Sequence, residues 1–312
     1  MNGYQKTEYV LNNFILPFEI VSGVLCNFTS ILIWTLGPKS SRLPCCSYFT
    51  SLAVVDFLVL AFPATILYAS IAYPEVYMTV LDTEFCWAEI LSSYALIEIS
   101  NWISTALSFE RMLAIVFPFK FTSENLKKRG IVVCLIITFL FVTANVPVVF
   151  MFKDRNFTQI CSNEEDHEFY LYIPTVVIDA VLGTLLPFTL IIACNLVVVV
   201  AIVRRKHNVT SSARHDGQGA RMLTRLVLGV GLVFVLGNGA WVAVTFIKLI
   251  WYTEEVEEII FFTRVADTLM YFCSWANPLL CLLICKSIKE DLTHVAASMI
   301  NGARKCLFMI CK

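Results

Sequence analysis

The sequence predicts an all-α protein built as a bundle of seven membrane-spanning helices, and three observations carry that reading. Of the 312 residues, 58% are hydrophobic and only 15% charged, with a mean hydropathy of +0.75. A soluble domain carries about a quarter charged and just under half apolar residues, so one aqueous core is excluded and lipid must cover much of the chain. The second observation is seven apolar runs, each long enough for a hydrocarbon layer of about 30 Å, which takes about 20 helical residues. The third is the sorting of Lys and Arg between those runs.

In chain order the spans are 14–36, 48–73, 85–117, 130–152, 170–203, 220–250 and 259–285. A tail of residues 1–13 precedes them and a basic, amphipathic tail of 286–312 follows. The third and fifth spans exceed the minimum by more than two turns, which calls for tilt or projection beyond the bilayer. Eighteen of the 23 basic residues fall in the segments after spans one, three, five and seven or at their ends, among them Lys127, Lys128, Arg129, Arg204, Arg205 and Lys206. This bias puts the N-terminus outside and the C-terminus in the cytoplasm, as an odd span count requires. The first seventeen residues show no leader with a cleavage site, so the first span is expected to serve as its own anchor. A net charge of −1 gives no bias toward nucleic acid.

On this topology only Cys86 and Cys161, of twelve cysteines, meet an oxidising compartment, and they are expected to form a disulfide across the outer mouth. Asn156-Phe157-Thr158 is a glycosylation sequon on the outer side. Cys306 and Cys311, in the basic tail, either accept palmitate at the inner leaflet or stay free thiols.

Ionisable groups inside a membrane are costly and point to function. Along span three, Ser93, Ile97, Ser100, Ser104, Ser108 and Arg111 recur at three- and four-residue spacing, so one face looks into protein or water. Glu98, Asp179 and Asp267 lie at similar depth in the outer half, with no Lys or Arg at that level. They form either a site for a cationic ligand or a set of protonated or locally bonded structural acids. Glu89 stands near the outer end of span three. Asp56 sits deeper, level with Ser100 and Asn277; together these hold either a small hard cation such as sodium or an interhelical hydrogen-bond cluster. No metal-ligand spacing, His cluster or nucleophile and base pair stands inside the spans, so no enzymatic chemistry is expected.

The ordered motifs resemble those of rhodopsin-like (class A) G-protein-coupled receptors, from about Gly23 to Leu292. They comprise Asn27 in span one, Leu52-Ala53-Val54-Val55-Asp56 in span two and Cys86 leading to Glu110-Arg111 in span three. Pro118-Phe119 in the second cytoplasmic loop, Pro187 in span five and Asn277-Pro278 in span seven follow. The segment 286–292 is similar to the family's short cytoplasmic eighth helix. The resemblance implies a plasma-membrane receptor that passes an extracellular signal to a heterotrimeric G protein, with arrestin as a further partner. Arg111 would meet the G protein, Glu110 would restrain Arg111, and Phe119 would insert into the partner.

The chain departs from the family's pattern in helix six, where Asn238 and Ala240 stand for the usual tryptophan and proline, and in helix seven, where Cys281 stands for a tyrosine. Ala220 and Arg221 leave helix six without the optional acid, so no ionic latch to Arg111 is expected there, and basal activity is open to being high. Ser93 and Tyr271 replace the residues needed by amine receptors and opsins. The stretch Phe234–Asn238 resembles invertebrate FMRFamide-type neuropeptide receptors. That likeness suggests a short cationic, amidated peptide held by Asp267, Asp179 or Glu98, with Tyr94, Trp241 and Tyr271 as aromatic contacts. The alternatives left open are a chemoreceptor for small odorants or lipids and a transporter or channel using the membrane acids.

Overall fold

The computed structural model describes residues 3–80, 83–117, 123–151, 175–208, 218–251 and 257–310, and nearly all of them are helical. Helix α1 runs through Gly3–Val10, Leu11–Ile15 and Leu16–Leu36; α2 is Cys46–Ala72; α3 is Thr83–Val116; and α4 is Ser123–Met151. Helix α5 joins Thr175–Leu185 to Leu186–Asn208, α6 is Gln218–Trp251, α7 is Glu257–Ile284 and α8 is Lys286–Ile310. A short helix, Pro74–Val80, lies between α2 and α3.

Six of these helices are long and apolar enough to cross a membrane, namely α1, α2, α4, α5, α6 and α7. Helix α3, expected as the third span, is 34 residues long but is not among the six. Its Ser92, Ser93, Glu98, Ser100, Asn101, Ser104, Thr105 and Ser108 lower its hydropathy. Those residues are tolerated because α3 is the helix the others surround, packing on α2, α4, α5 and α6. A polar stripe buried in protein costs less than one facing lipid.

Two boundaries differ from the sequence reading. Residues 3–13 continue the first helix instead of forming a separate tail, since no proline or glycine interrupts the chain between Tyr4 and Leu16. Helix α8 runs to Ile310, well past the expected Leu292.

Prolines explain the widened turns. A proline lacks the N–H that closes the helix one turn back and its ring presses on that carbonyl, and a wider π-turn is one relief. Such turns occur at Leu11–Ile15 just before Pro17, at Leu60–Ala64 around Pro63, and at Thr175–Leu185 just before Pro187. Helix α6, with Ala240 in place of proline, runs as α-helix from Gln218 to Trp251.

Two of the freed carbonyl sets are satisfied from neighbouring helices. Pro187 leaves Gly183 and Leu182 without their usual donors, and α3 supplies them: Asn101 Nδ2 donates to Gly183 O at 3.0 Å and Trp102 Nε1 to Leu182 O at 2.9 Å. Pro278 frees Ser274 O, which accepts from Asn27 Nδ2 at 2.9 Å. Since an unpaired carbonyl in lipid costs several kcal/mol or about that, these two asparagines fix α3 to α5 and α1 to α7.

Candidate functional site

The outer half of the bundle encloses a cavity of about 530 Å³, within the range of sites for small molecules and peptide ends, about 300–1,000 Å³. Helices α2, α3, α5, α6 and α7 all contribute to its wall. Ser93, Tyr94, Asp179, Trp241, Asp267 and Tyr271, singled out from the sequence, all line it, and so does Glu89. The described lining contains three carboxylates and no Lys, Arg or His.

The three acids differ in their surroundings. Asp267 Oδ1 accepts from Trp241 Nε1 at 2.9 Å, tying α7 to α6. Glu89 is met by the Tyr77 hydroxyl, 3.0 and 3.2 Å from its two oxygens. Burial and that carboxylate together push the Tyr77 phenol above its ordinary range, which keeps it a proton donor to Glu89. Asp179 carries no such bond among the described residues, and faces the cavity next to Tyr94.

Glu98 does not reach the cavity, contrary to the expectation. It is 1% exposed and turned to α4, where Asn145 Nδ2 donates to Oε2 at 2.5 Å, while Oε1 is buried without a partner. Gly183 of α5 closes the site, for a side chain there would run into the Glu98 carboxyl. The reason lies in helical phase: Ile97 faces the cavity, and the next residue is rotated by about 100°.

At mid-depth Asp56 is wholly buried. Ser100 Oγ and Ser274 Oγ donate to its Oδ1 at 2.6 and 3.0 Å, and Asn277 Nδ2 donates to Oδ2 at 2.7 Å. Asn27, Asp56, Ser100 and Asn277 thus form one layer, to which the structure adds Ser274. A neighbouring cavity of about 20 Å³ is walled by Ser100, Asn101, Ser104, Asn238, Ser274 and Asn277. It has room for one water or an ion of that size, and Asn238 Oδ1 is buried there without a partner. Carboxylate, hydroxyl and amide oxygens beside such a space fit a sodium ion.

At the cytoplasmic end Arg111 is 8% exposed and its Nη2 donates to Cys45 Sγ at the start of α2. Glu110 does not restrain it: among the described residues no ion pair joins them, and both Glu110 oxygens are buried without a hydrogen bond. Glu110 lies instead beside Tyr48 and Arg129. Helical phase again separates neighbours, as for Glu98. Leu223 and Leu226 of α6 are packed into the core with Leu107, so this end of the bundle is closed.

Several expected sites lie outside the described residues: Pro118, Phe119, Asn156, Cys161 and Cys311. Cys86 and Cys306 fall in α3 and α8, but their side chains are outside what is described. Conversely, sequence reading passed over Glu19 of α1, buried with Oε2 unpartnered, and Asn101, Asn145 and Asn238. Glu19 was visible as a charge inside the first span; the asparagines carried no signal without their partners.

A sequence profile described as "7 transmembrane receptor (rhodopsin family)" matches residues 26–280, most of the chain. The chain belongs to this family. Among curated relatives, this rhodopsin-family protein is 26% identical to lysophosphatidic acid receptor 6 of Mus musculus over 65% of the chain and 61% of the relative. It is also 26% identical to cysteinyl leukotriene receptor 1 of Cavia porcellus, over 54% of the chain and 51% of the relative. Against the Sus scrofa receptor of that name the figures are 25%, 60% and 55%. The chain thus spans between half and two thirds of the length of these relatives. Membership makes it a multi-pass membrane protein of a receptor family, in keeping with the six membrane-capable helices.

Proposed function

We propose that this receptor sits in the plasma membrane with its N-terminus outside and converts binding of a positively charged extracellular ligand into activation of a heterotrimeric G protein. The observation that carries the ligand's charge is the cavity wall, with Glu89, Asp179 and Asp267 and no basic residue among the described lining. Asp179 is the anchor, because its carboxylate is not already engaged by a neighbouring described donor. The aromatic rings of Tyr94, Trp241 and Tyr271 favour a cation further. The rest of the wall is apolar, including Ile97, Leu185, Val242 and Met270, so the ligand pairs its charge with a hydrophobic body.

A short amidated peptide ending in Arg or Lys fits that description, and the likeness of Phe234–Asn238 to FMRFamide-type receptors supports it. The names of the relatives favour a second reading, a lipid mediator. An acidic head group would meet three carboxylates on the described wall, so a lipid that fits this cavity carries an amine.

Signalling follows as a population shift, because a ligand moves a two-state equilibrium only by its differential affinity for the two states. Ligand bound to Asp267 competes with Trp241 for that carboxylate and so alters the α6–α7 contact at the outer end. When bound, a sodium ion held by Asp56, Ser100 and Ser274 would neutralise the central carboxylate. Arg111 is the residue that would be released to the G protein.

The test is nucleotide exchange on purified heterotrimers driven by membranes containing the receptor. Amidated Arg- and Lys-ended peptides, long-chain amines and lysophosphatidic acid form the ligand panel. The expected result is a cationic agonist whose potency falls by about tenfold or more in Asp179→Asn, the loss of one charge-assisted contact. Agonism by the anionic lipid, unchanged in Asp179→Asn, Asp267→Asn and Glu89→Gln, would overturn the reading.

A further inference from the structure

We infer that Cys45 is the resting partner of Arg111, a thiol latch on the cytoplasmic face that must open before Arg111 can engage a G protein. The inference rests on the G-protein coupling proposed above.

Cys45 follows the turn Ser40–Arg42 between α1 and α2 and is wholly buried. Arg111 reaches it from α3 with Nη2, and its Nε is buried with no partner. The adjacent carboxylate of Glu110 is turned away, and the cytoplasmic end of α6 offers Arg221 where an acid would be needed. The contact belongs to a closed bundle, since Leu223 and Leu226 fill the space through which a partner would enter. A buried guanidinium is costly without an acceptor, and a thiol is only a weak one. The latch therefore holds Arg111 in place at a small energy, which a ligand of modest differential affinity can overcome.

Two measurements on the full chain in membranes test it. In the first, N-ethylmaleimide labelling is mapped residue by residue by mass spectrometry, without ligand or G protein. Cys45 is expected to be inert in the wild type and to be labelled several-fold faster in Arg111→Ala, while the neighbouring buried Cys46 serves as an internal control and stays unlabelled. In the second, basal nucleotide exchange is measured per surface receptor over a panel of heterotrimers. Cys45→Ala is expected to raise it several-fold, and Cys45→Asp, which offers Arg111 a carboxylate, to lower it below wild type. A purely structural role would reduce surface abundance in both variants without sending exchange in opposite directions.

Ready labelling of Cys45 in the resting wild type, or equal exchange in the two Cys45 variants, would overturn the latch. If no receptor form drives any heterotrimer, the coupling proposal fails and with it the latch's role, while the labelling arm still decides the Cys45–Arg111 contact by itself.

Discussion

Asp56 and Asp179 are aspartates of one bundle, and their surroundings are opposite. Asp56 is sealed between helices with three donors converging on its two oxygens. Asp179 opens onto a cavity of about 530 Å³ with no bonded donor among the described residues. The first carboxylate is spent on holding α2, α3 and α7 together, whereas the second is available to something that enters from outside. A membrane acid is therefore informative only once its donors are counted, since charge and depth alone do not separate a strut from an anchor.

The comparison is broken most severely at Asp56. In Asp56→Ala, Ser100, Ser274 and Asn277 lose their shared acceptor, and each buried unpaired polar group costs about 1–3 kcal/mol. Surface abundance and detergent thermostability are expected to collapse together. Normal surface expression of that variant would show that the layer is held by something else, and Asp56→Asn, which keeps one acceptor oxygen, is expected to recover part of the loss. Asp179→Asn is expected to do the reverse: surface abundance unchanged, agonist potency down about ten- to a hundredfold through loss of one charge-assisted contact. Equal stability losses in the two variants would dissolve the distinction.

Much of this was readable from the chain, and the failures have specific causes. Long apolar runs mark helices whatever they pack against, and the inward face of α3 followed from the spacing of Ser93, Ile97, Ser100 and Ser104. The same spacing excludes Glu98 from that face, so the information was present and depth was weighted above phase. The start of α1 at Gly3 was missed because a helix that passes through a π-turn before Pro17 does not look like an uninterrupted helix. The partners of Asn101 and Asn27 were out of reach for a different reason. A proline announces which carbonyls it frees on its own helix, but not which helix will stand opposite.

Those asparagines give a smaller test of the same comparison, because they too are polar groups wholly committed to structure. In Asn101→Ala, Gly183 O loses its donor beside Pro187, and in Asn27→Ala, Ser274 O loses its donor beside Pro278. Each is expected to lower detergent stability by an amount on the order of 1–3 kcal/mol, read as the midpoint of thermal inactivation. The two effects should add, since the sites share no partner. Leaving ligand potency unshifted would place them with Asp56; a potency loss without a stability loss would place Asn101 with the cavity.

The smallest effect is expected where charges meet in water. Lys39, after α1, pairs with Glu290 of α8, and Lys286 Nζ approaches the other carboxylate oxygen at 3.7 Å. The hydrogen bond and charge of Lys39 hold the Glu290 carboxyl below its usual range, and the same contact holds the Lys39 ammonium above its own. A lowered carboxyl contributes stability that is lost as pH falls through its folded value, and a raised ammonium contributes stability that is lost as pH rises through its own. Between those limits, including neutral pH, the contribution is flat. Both groups are solvent-facing, so salt screens the pair, and Lys39→Ala is expected to leave the thermal midpoint of the receptor within scatter at physiological ionic strength. Beside this pair, Asp291 accepts the backbone N–H groups of Lys39 and Ser40 at 3.1 and 2.6 Å while being 1% exposed. It is the buried acid with committed donors, as Asp56 is, that should hold α8 against the turn: Asp291→Ala should lower the midpoint where Lys39→Ala does not, and the reverse order would mean that donor count fails to rank acids at the membrane edge.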